Sequence, residues 1–337
     1  MGAIPEKADV AVIGSGATGL AAAVTLAEGG AKVIVFEKQR SLGGTSNFFQ
    51  GTFAVESDLQ RERYVDYTCD QAFKNTMDYS HWRANPRLVR AIVNESGPTI
   101  AWLQEQGVVF TEATINMPES PLTYHVIKGR GESVVKALVD QAKNKGVTVL
   151  PGTPVVSILK EGGKIVGVVA ESDGEEVEVA VKAVVVASGG FANNKEWIKK
   201  YAGLDLGVNV IPVGNPGKMG DGIRMAWEAG AGDTGIEVLE LFRVGPVGPG
   251  YDKQTPVEYA AVQPDLWVDA EGIRFCDETV GFYETSIGNA SCRTKQWCNY
   301  SILDSGVVTR LMEYGIEKAH GTGLLPGARL SGLERDL

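Results

Sequence analysis

A chain of 337 residues has room for two domains and a large buried core, so it needs no disulfide staple. With 44% hydrophobic and 22% charged residues, and 42 glycines that sit at turns and form no repeat, it is neither disordered nor fibrous. A net charge of −10 with no run of Lys and Arg argues against nucleic acid as a partner.

The first element is Asp9 to Ile13, a short apolar run suited to a buried parallel strand. It enters Gly14-Ser-Gly16-Ala-Thr-Gly19, and a helix then continues from Leu20 to a stop at Gly29 and Gly30. A second strand, Lys32 to Phe36, ends on Glu37, which closes a βαβ unit. Residues 56 to 107 read as mostly helical. Asn85-Pro86 makes an N-cap with proline at the first helical position, and Ser96-Gly97-Pro98 is expected to break and restart the helix. From Gly131 a helix presents Val134, Val135, Leu138, Val139 and Ala142 on one face and stops at Gly146, before a strand at Val147 to Leu150.

Residues 153 to 187 change character. Three strands (Val155 to Leu159, Ile165 to Val169, Val177 to Val181) are separated by Gly162-Gly163 and Asp173-Gly174, the pattern of an antiparallel meander. A strand from Ala183 to Ala187 follows, then Ser188-Gly189-Gly190, a helix from about Asn194 and another from Asp221 to Ala229. Leu266 to Phe275 reads as a hairpin turning at Asp269 to Gly272. The boundary is placed near 235, giving domains 1–235 and 236–337.

The remaining features are mostly quiet. Cys69, Cys276, Cys292 and Cys298 form no C-x-x-C pair, which suits free thiols in a reducing, cytoplasmic compartment. His81, His125 and His320 are scattered, so no metal site is expected. No apolar run reaches membrane-spanning length, and Met1 to Lys7 holds no apolar leader core. Gly217-Lys218 lacks the spacing and the Ser or Thr of a phosphate loop. Six spread tryptophans read as core.

The chemistry concentrates in the glycine turn. Gly14 permits a tight turn, Gly16 lets backbone approach a pyrophosphate, and Gly19 lets helix and strand pack closely. The anion then meets the helix N-terminus. Glu37 stands where an acid accepts hydrogen bonds from ribose hydroxyls and disfavours a 2′-phosphate, so NADP is a poor fit. In NAD domains another βα unit follows at once, whereas here Glu37-Lys-Gln-Arg-Ser-Leu-Gly-Gly-Thr-Ser46 follows. This second glycine pair, and the meander before Ala187-Ser188-Gly189-Gly190, resemble flavoproteins of the glutathione-reductase-like superfamily and point to FAD.

The resemblance narrows with Gly43-Gly-Thr-Ser46, Ala187-Ser-Gly-Gly-Phe191, Met219-Gly-Asp-Gly-Ile-Arg-Met-Ala226 and Gly272-Ile-Arg-Phe-Cys-Asp-Glu278. Together they resemble the fumarate reductase/succinate dehydrogenase flavoprotein family from Asp9 to about Glu278. The resemblance implies an α/β Rossmann-like FAD-binding domain, a parallel sheet plus the antiparallel meander, with a partial α+β capping domain. It implies hydride transfer between FAD and an activated C–C bond of a small-molecule substrate, with a reductase or electron-donor protein as a partner. It implies cofactor contacts at Gly14, Ser15, Gly16, Ala17, Thr18, Gly19, Glu37, Lys38, Gly43, Gly44, Thr45, Ser46, Val156, Ala187, Ser188, Gly189, Gly190 and Asp221. Asp221 is expected either to cap its helix or to touch a cofactor hydroxyl.

Departures from the family pattern also carry information. Thr45 to Gly51 contains no histidine, so FAD should be bound non-covalently. No histidine precedes the Gly272 element in Ala261 to Leu266, and no arginine follows Glu278 before Arg293. Dicarboxylate reduction needs cationic clamps and a proton donor. Arg274, Glu278 and Arg293 are the catalytic candidates, with a salt bridge as the alternative role for the first two. Fumarate is therefore a doubtful substrate, and an enone such as a ketosteroid is as consistent. The family continues past the cap into a final cofactor segment, whereas this sequence ends at Leu333 to Leu337. A second reading is thus a truncated or non-catalytic dinucleotide-binding chain; a third is an NAD-binding protein.

Overall fold

The structure, a computed structural model, describes residues 4–115, 120–241, 244–245, 260–263, 265–282 and 284–314. His320 and the Leu333 to Leu337 segment lie outside the described residues. Contacts group the chain into two compact units, Met1–Thr114 with Pro121–Glu237, and Ile115–Ser120 with Val238–Leu337.

The first unit opens with β1 (Val10–Ile13), α1 (Ala17–Glu28) and β2 (Val33–Glu37). Next come β3 (Gly51–Phe53), α2 (Asp58–Glu62), α3 (Cys69–Tyr79), α4 (Pro86–Glu105), β4 (Phe110–Thr114) and β5 (Tyr124–Ile127). It continues with α5 (Arg130–Asn144), β6 (Thr148–Pro151), β7 (Val155–Glu161), β8 (Lys164–Ser172), β9 (Glu175–Ala180) and β10 (Ala183–Val186). The last helices are α6 (Lys195–Trp197), which runs into a π-helical turn at Ile198–Ala202, and α7 (Asp221–Glu228). The second unit holds β11 (Trp267–Val268), α8 (Glu284–Ser291), β12 (Tyr300–Ser301) and α9 (Ser305–Tyr314).

The parallel sheet runs β10-β1-β2-β6. Its central strands are apolar along their length because both faces are covered. Val10, Val12, Val33 and Val35 point to one side and pack with Leu20, Ala23 and Val24 of α1 and with Val134, Leu138 and Ala142 of α5. Ala11, Ile13, Ile34 and Phe36 point to the other side, against Val168, Ala170 and Val179 of the meander and Met225 of α7. The strand period of two thus separates a helical layer from a β layer.

The meander is ordered β7-β8-β9, antiparallel throughout. Both of its turns place two residues at positive φ: Gly162 and Gly163 at 54° and 81°, Asp173 and Gly174 at 53° and 83°. That is the turn geometry whose twist matches antiparallel strands.

Four expectations change. First, α4 runs unbroken through Pro98. The segment is clamped sideways, since Ser96 Oγ accepts from Val55 N at 3.0 Å and donates to Val93 O at 2.7 Å. Gly97 admits the neighbouring strand exit: a Cβ there would lie 2.6 Å from Val55 O. These ties outweigh the one helical hydrogen bond that proline removes. Second, a sheet ordered β3-β5-β4 was not foreseen, its strands being short and without clean alternation. Third, the hairpin at 266–275 is reduced to a tight turn, Gly272 N to Asp269 O at 3.0 Å, and a single Val268–Arg274 bridge; β11 pairs instead with β12. Fourth, two of the spread tryptophans meet, Trp197 stacking on Trp227 at 5.3 Å between ring centroids, with Phe191 and Tyr201 edge-on to Trp197.

The unforeseen sheet buries a histidine. His125 on β5 is fully buried, its Nε2 2.6 Å from Ser57 Oγ and its Nδ1 3.1 Å from Thr123 O. The carbonyl needs a donor, so Nδ1 carries the proton and Ser57 donates to Nε2. Burial holds the imidazole pKa below its ordinary 6.5. The unfolded chain therefore binds a proton that the native state refuses. Stability should be full above pH ~6.5 and fall as pH drops from there towards the lowered native pKa. Denaturant unfolding at a series of pH values should show this slope, and His125→Gln should flatten it; an unchanged slope would contradict the assignment.

Candidate functional site

The glycine turn joins β1 to α1. Gly14 has φ 106°, and a Cβ there would lie 2.4 Å from Ala187 O at the end of β10. A Cβ on Gly19 would lie 2.0 Å from Gly14 O. These two glycines are demanded by the protein's own packing, as the sequence spacing implied. Gly16 is different: the nearest protein atom to a Cβ there is Ser46 Oγ at 3.4 Å, and around Gly190 nothing comes within 4 Å. Both leave a smooth wall that the interior does not require, which suits a ligand pressed against backbone. Thr18 is exposed on the first turn of α1.

Glu37 ties this wall together. It is buried at 8% exposure, and its Oε2 accepts from Ser15 N at 3.0 Å and Ser15 Oγ at 2.7 Å, while Oε1 accepts from Gln39 N at 2.8 Å. Ser15 Oγ in turn accepts from Gly43 N at 3.0 Å. The acid expected to meet a ribose is thus first of all a brace between the two glycine elements. A carboxylate has about four acceptor positions, so with three bonds made, one remains for a hydroxyl.

Gly43, at φ 98°, starts a 3-10 turn over Gly44–Asn47. That turn carries Ser46, whose Oγ accepts from Ala17 N at 3.0 Å and so caps the first turn of α1. A Cβ on Gly131 of α5 would lie 1.9 Å from Ser46 O, so Gly131 sets how closely the turn seats on that helix. Thr45 Oγ1 accepts from Asn215 N at 3.2 Å.

The residues after β2 and before α7 also converge. Lys38 Nζ pairs with Asp221 Oδ2 at 2.5 Å, across 183 residues of sequence. Asp221 is not the N-cap; Gly220 is, with no side-chain cap, and a Cβ there would strike the Trp197 ring at 2.6 Å. Asp221 opens the helix, where a negative charge also favours the dipole. Val156 lies on β7 with its carbonyl accepting from Arg224 Nη2 at 3.3 Å, which ties it to α7. Ser188 Oγ is buried without a hydrogen-bond partner, against Gly222 and Val186. Gly131, Gly214, Asn215 and Lys218 were missed. For the last three, the turn chemistry of Asn215-Pro216-Gly217 was the available signal.

In the second unit, Arg274 and Glu278 bind each other. Arg274 Nε lies 3.0 Å from both Glu278 oxygens and Nη2 2.5 Å from Oε2, while Trp267 N donates to Oε1 at 3.1 Å. Arg274 holds the Glu278 carboxyl below its ordinary pKa. This opposes the proton-donor role and favours the salt-bridge alternative. Arg293 is exposed between α8 and β12. Burial raises the Cys276 and Cys292 thiols, which keeps them protonated and unreactive.

Comparisons with known proteins give the family. The family described as "FAD binding domain" matches residues 9–319. A vinyl phenol reductase from Lactiplantibacillus plantarum is 35% identical over 98% of this chain and 68% of its own length. A fumarate reductase (cytochrome) from Shewanella frigidimarina is 27% identical over 96% of this chain, which spans 56% of that protein. Among solved structures, a 3-ketosteroid-Δ4-(5α)-dehydrogenase from Rhodococcus jostii superposes with TM-score 0.76 at 24% identity, covering 91% of this chain and 68% of that one. The chain belongs to the family of FAD-binding flavoproteins that includes the vinyl phenol and fumarate reductases.

Proposed function

We propose that the protein binds FAD non-covalently on the β1–α1 wall and reduces, or in reverse forms, a C–C double bond conjugated to an electron-withdrawing group. The observation that carries this is the Glu37–Ser15–Gly43 chain, which holds two backbone-lined glycine elements in one rigid register. FAD, when bound, supplies hydride transfer, and the protein supplies position and electrostatics. In the Gly14 to Gly19 turn the N–H groups of Gly14, Ser15 and Ala17 already donate to Phe36 O, Glu37 and Ser46, so the remaining backbone at the head of α1 would face the diphosphate; the open acceptor position of Glu37 would take a ribose hydroxyl, and Gly16 and Gly190 would leave room for close approach. The residues present therefore fit FAD.

Two observations bear on substrate. The Arg274 guanidinium is spent on Glu278, which supports a conjugated substrate without two carboxylates. The likeness to a vinyl phenol reductase supports an aryl-conjugated double bond. Electrons would come from a separate reductase or donor protein. Among the described residues no helix is long and apolar enough to cross a membrane. The four cysteines are free, which supports a cytoplasmic location.

Three outcomes are expected. Protein reconstituted with FAD should be yellow, and acid precipitation should release all the flavin, because residues 45–51 hold no histidine; colourless protein that takes up no added FAD would refute the reading. Glu37→Gln should loosen FAD and lower stability by about 1–3 kcal/mol, since an amide keeps one accepting oxygen and cannot accept from both Ser15 and Gln39 N. Circular dichroism melts and a fluorescence titration would check it. Glu278→Gln should destabilise the protein. In the wild type the stability from this pair should be present above pH ~4.5 and be lost as pH falls below that value; acid-induced unfolding followed by tryptophan fluorescence reads it.

A further inference from the structure

We infer that Lys218 is the cation that neutralises the FAD diphosphate, an inference that rests on the FAD reading above. The segment before α7 folds back beside the glycine wall through several ties: Lys218 O accepts from Asn193 N at 2.9 Å, and Asn215 receives hydrogen bonds from Asn193 Nδ2 and, at its Oδ1, from Gly217 N. The same Asn215 donates its N–H to Thr45, the residue next to the Ser46 that caps α1. This places the lysine side chain between the two loops that follow β10 and β2. Its stem passes Gly189, 3.8 to 3.9 Å from where a Cβ would stand there. Its Nζ reaches 3.4 Å from the same point on Gly214, whose Cβ position touches Thr45 at 3.0 Å.

The charges around it decide the role. Lys38 is committed to Asp221, and Glu37 contributes a buried negative charge to the wall. Lys218 is half-buried, and its ammonium has no hydrogen bond or ion pair with any described residue. Half-burial of an ammonium with no partner is unfavourable, and a dinucleotide brings two negative charges to the turn that Thr45, Ser46 and Gly189 flank. A lysine at that point acts as a point charge towards phosphate. The Gly217-Lys218 dipeptide fails as a phosphate loop by sequence, yet the fold brings its lysine to a phosphate-binding wall by another route.

The test compares FAD, ADP and riboflavin binding to the wild type, Lys218→Met and Lys218→Arg, by fluorescence titration or calorimetry at two salt concentrations. Lys218→Met should weaken FAD and ADP by about 10- to 100-fold, reduce the salt dependence of their binding, and leave riboflavin, which has no phosphate, unchanged. Lys218→Arg should restore most of the affinity. Circular dichroism confirms folding; if the Met variant is unfolded, Lys218→Gln against Lys218→Arg carries the comparison. Unchanged FAD and ADP affinity, or an equal loss for riboflavin, would overturn the inference while leaving the FAD reading intact. A wild type that binds no FAD would remove both.

Discussion

A buried carboxylate must have its acceptor positions filled, and around Glu37 that requirement organises the whole cofactor wall. Besides Gln39 N, two residues on, its partner is distant in sequence. Ser15 stands 22 residues before it, and through the Ser15 hydroxyl the same chain of bonds reaches Gly43. The glycine turn, the second glycine pair and the end of β2 are therefore one hydrogen-bonded object. Gly14 and Gly19, where a Cβ would strike backbone, belong to the same turn.

Much of this was legible in the residues, for a physical reason. The βαβ unit, the meander and the helix of α5 are local patterns: an apolar strand, a turn with glycine where φ must be positive, a helical face of period 3.6. Nothing in those patterns needs a distant partner to be recognised. The failures are all non-local. Pro98 looks like a helix break until Ser96 is seen to hold Val55. Asp221 looks like a cap until Lys38 arrives from 183 residues away. Lys218 looks like half of a failed motif until the fold lays it along Gly189. His125 looked like a stray histidine, and only the sheet that buries it shows the Ser57 contact.

The two units handle charge in different ways. In the first, Lys38 and Asp221 pin two loops together at the surface, each about a third or more exposed, where an ion pair adds little stability but fixes a geometry. In the second, Glu278 is almost wholly buried and Arg274 largely exposed, so the pair anchors a carboxylate beneath the Trp267 backbone. An arginine and an acid in a recognisable motif can thus be structural to each other. That is why matching the motif did not by itself assign catalytic residues.

Asp9, at the opposite end of β1 from the glycine turn, has a bearing on how such a fold tolerates elaboration. Its carboxylate accepts from Lys32 N, 23 residues on, and pairs with Lys182 Nζ, 173 residues on. One side chain thus ties β1 to the entry of β2 and to the entry of β10, the strands on either side of it. Loop-closure entropy grows only with the logarithm of length, so the longer loop costs roughly 2 kcal/mol more than the shorter. A sheet anchored in this way can carry long insertions, between β2 and β6 and between β6 and β10. The entropy of those detours is a minor charge against a core this size, which leaves a lineage free to rebuild the inserted segments around an unchanged floor.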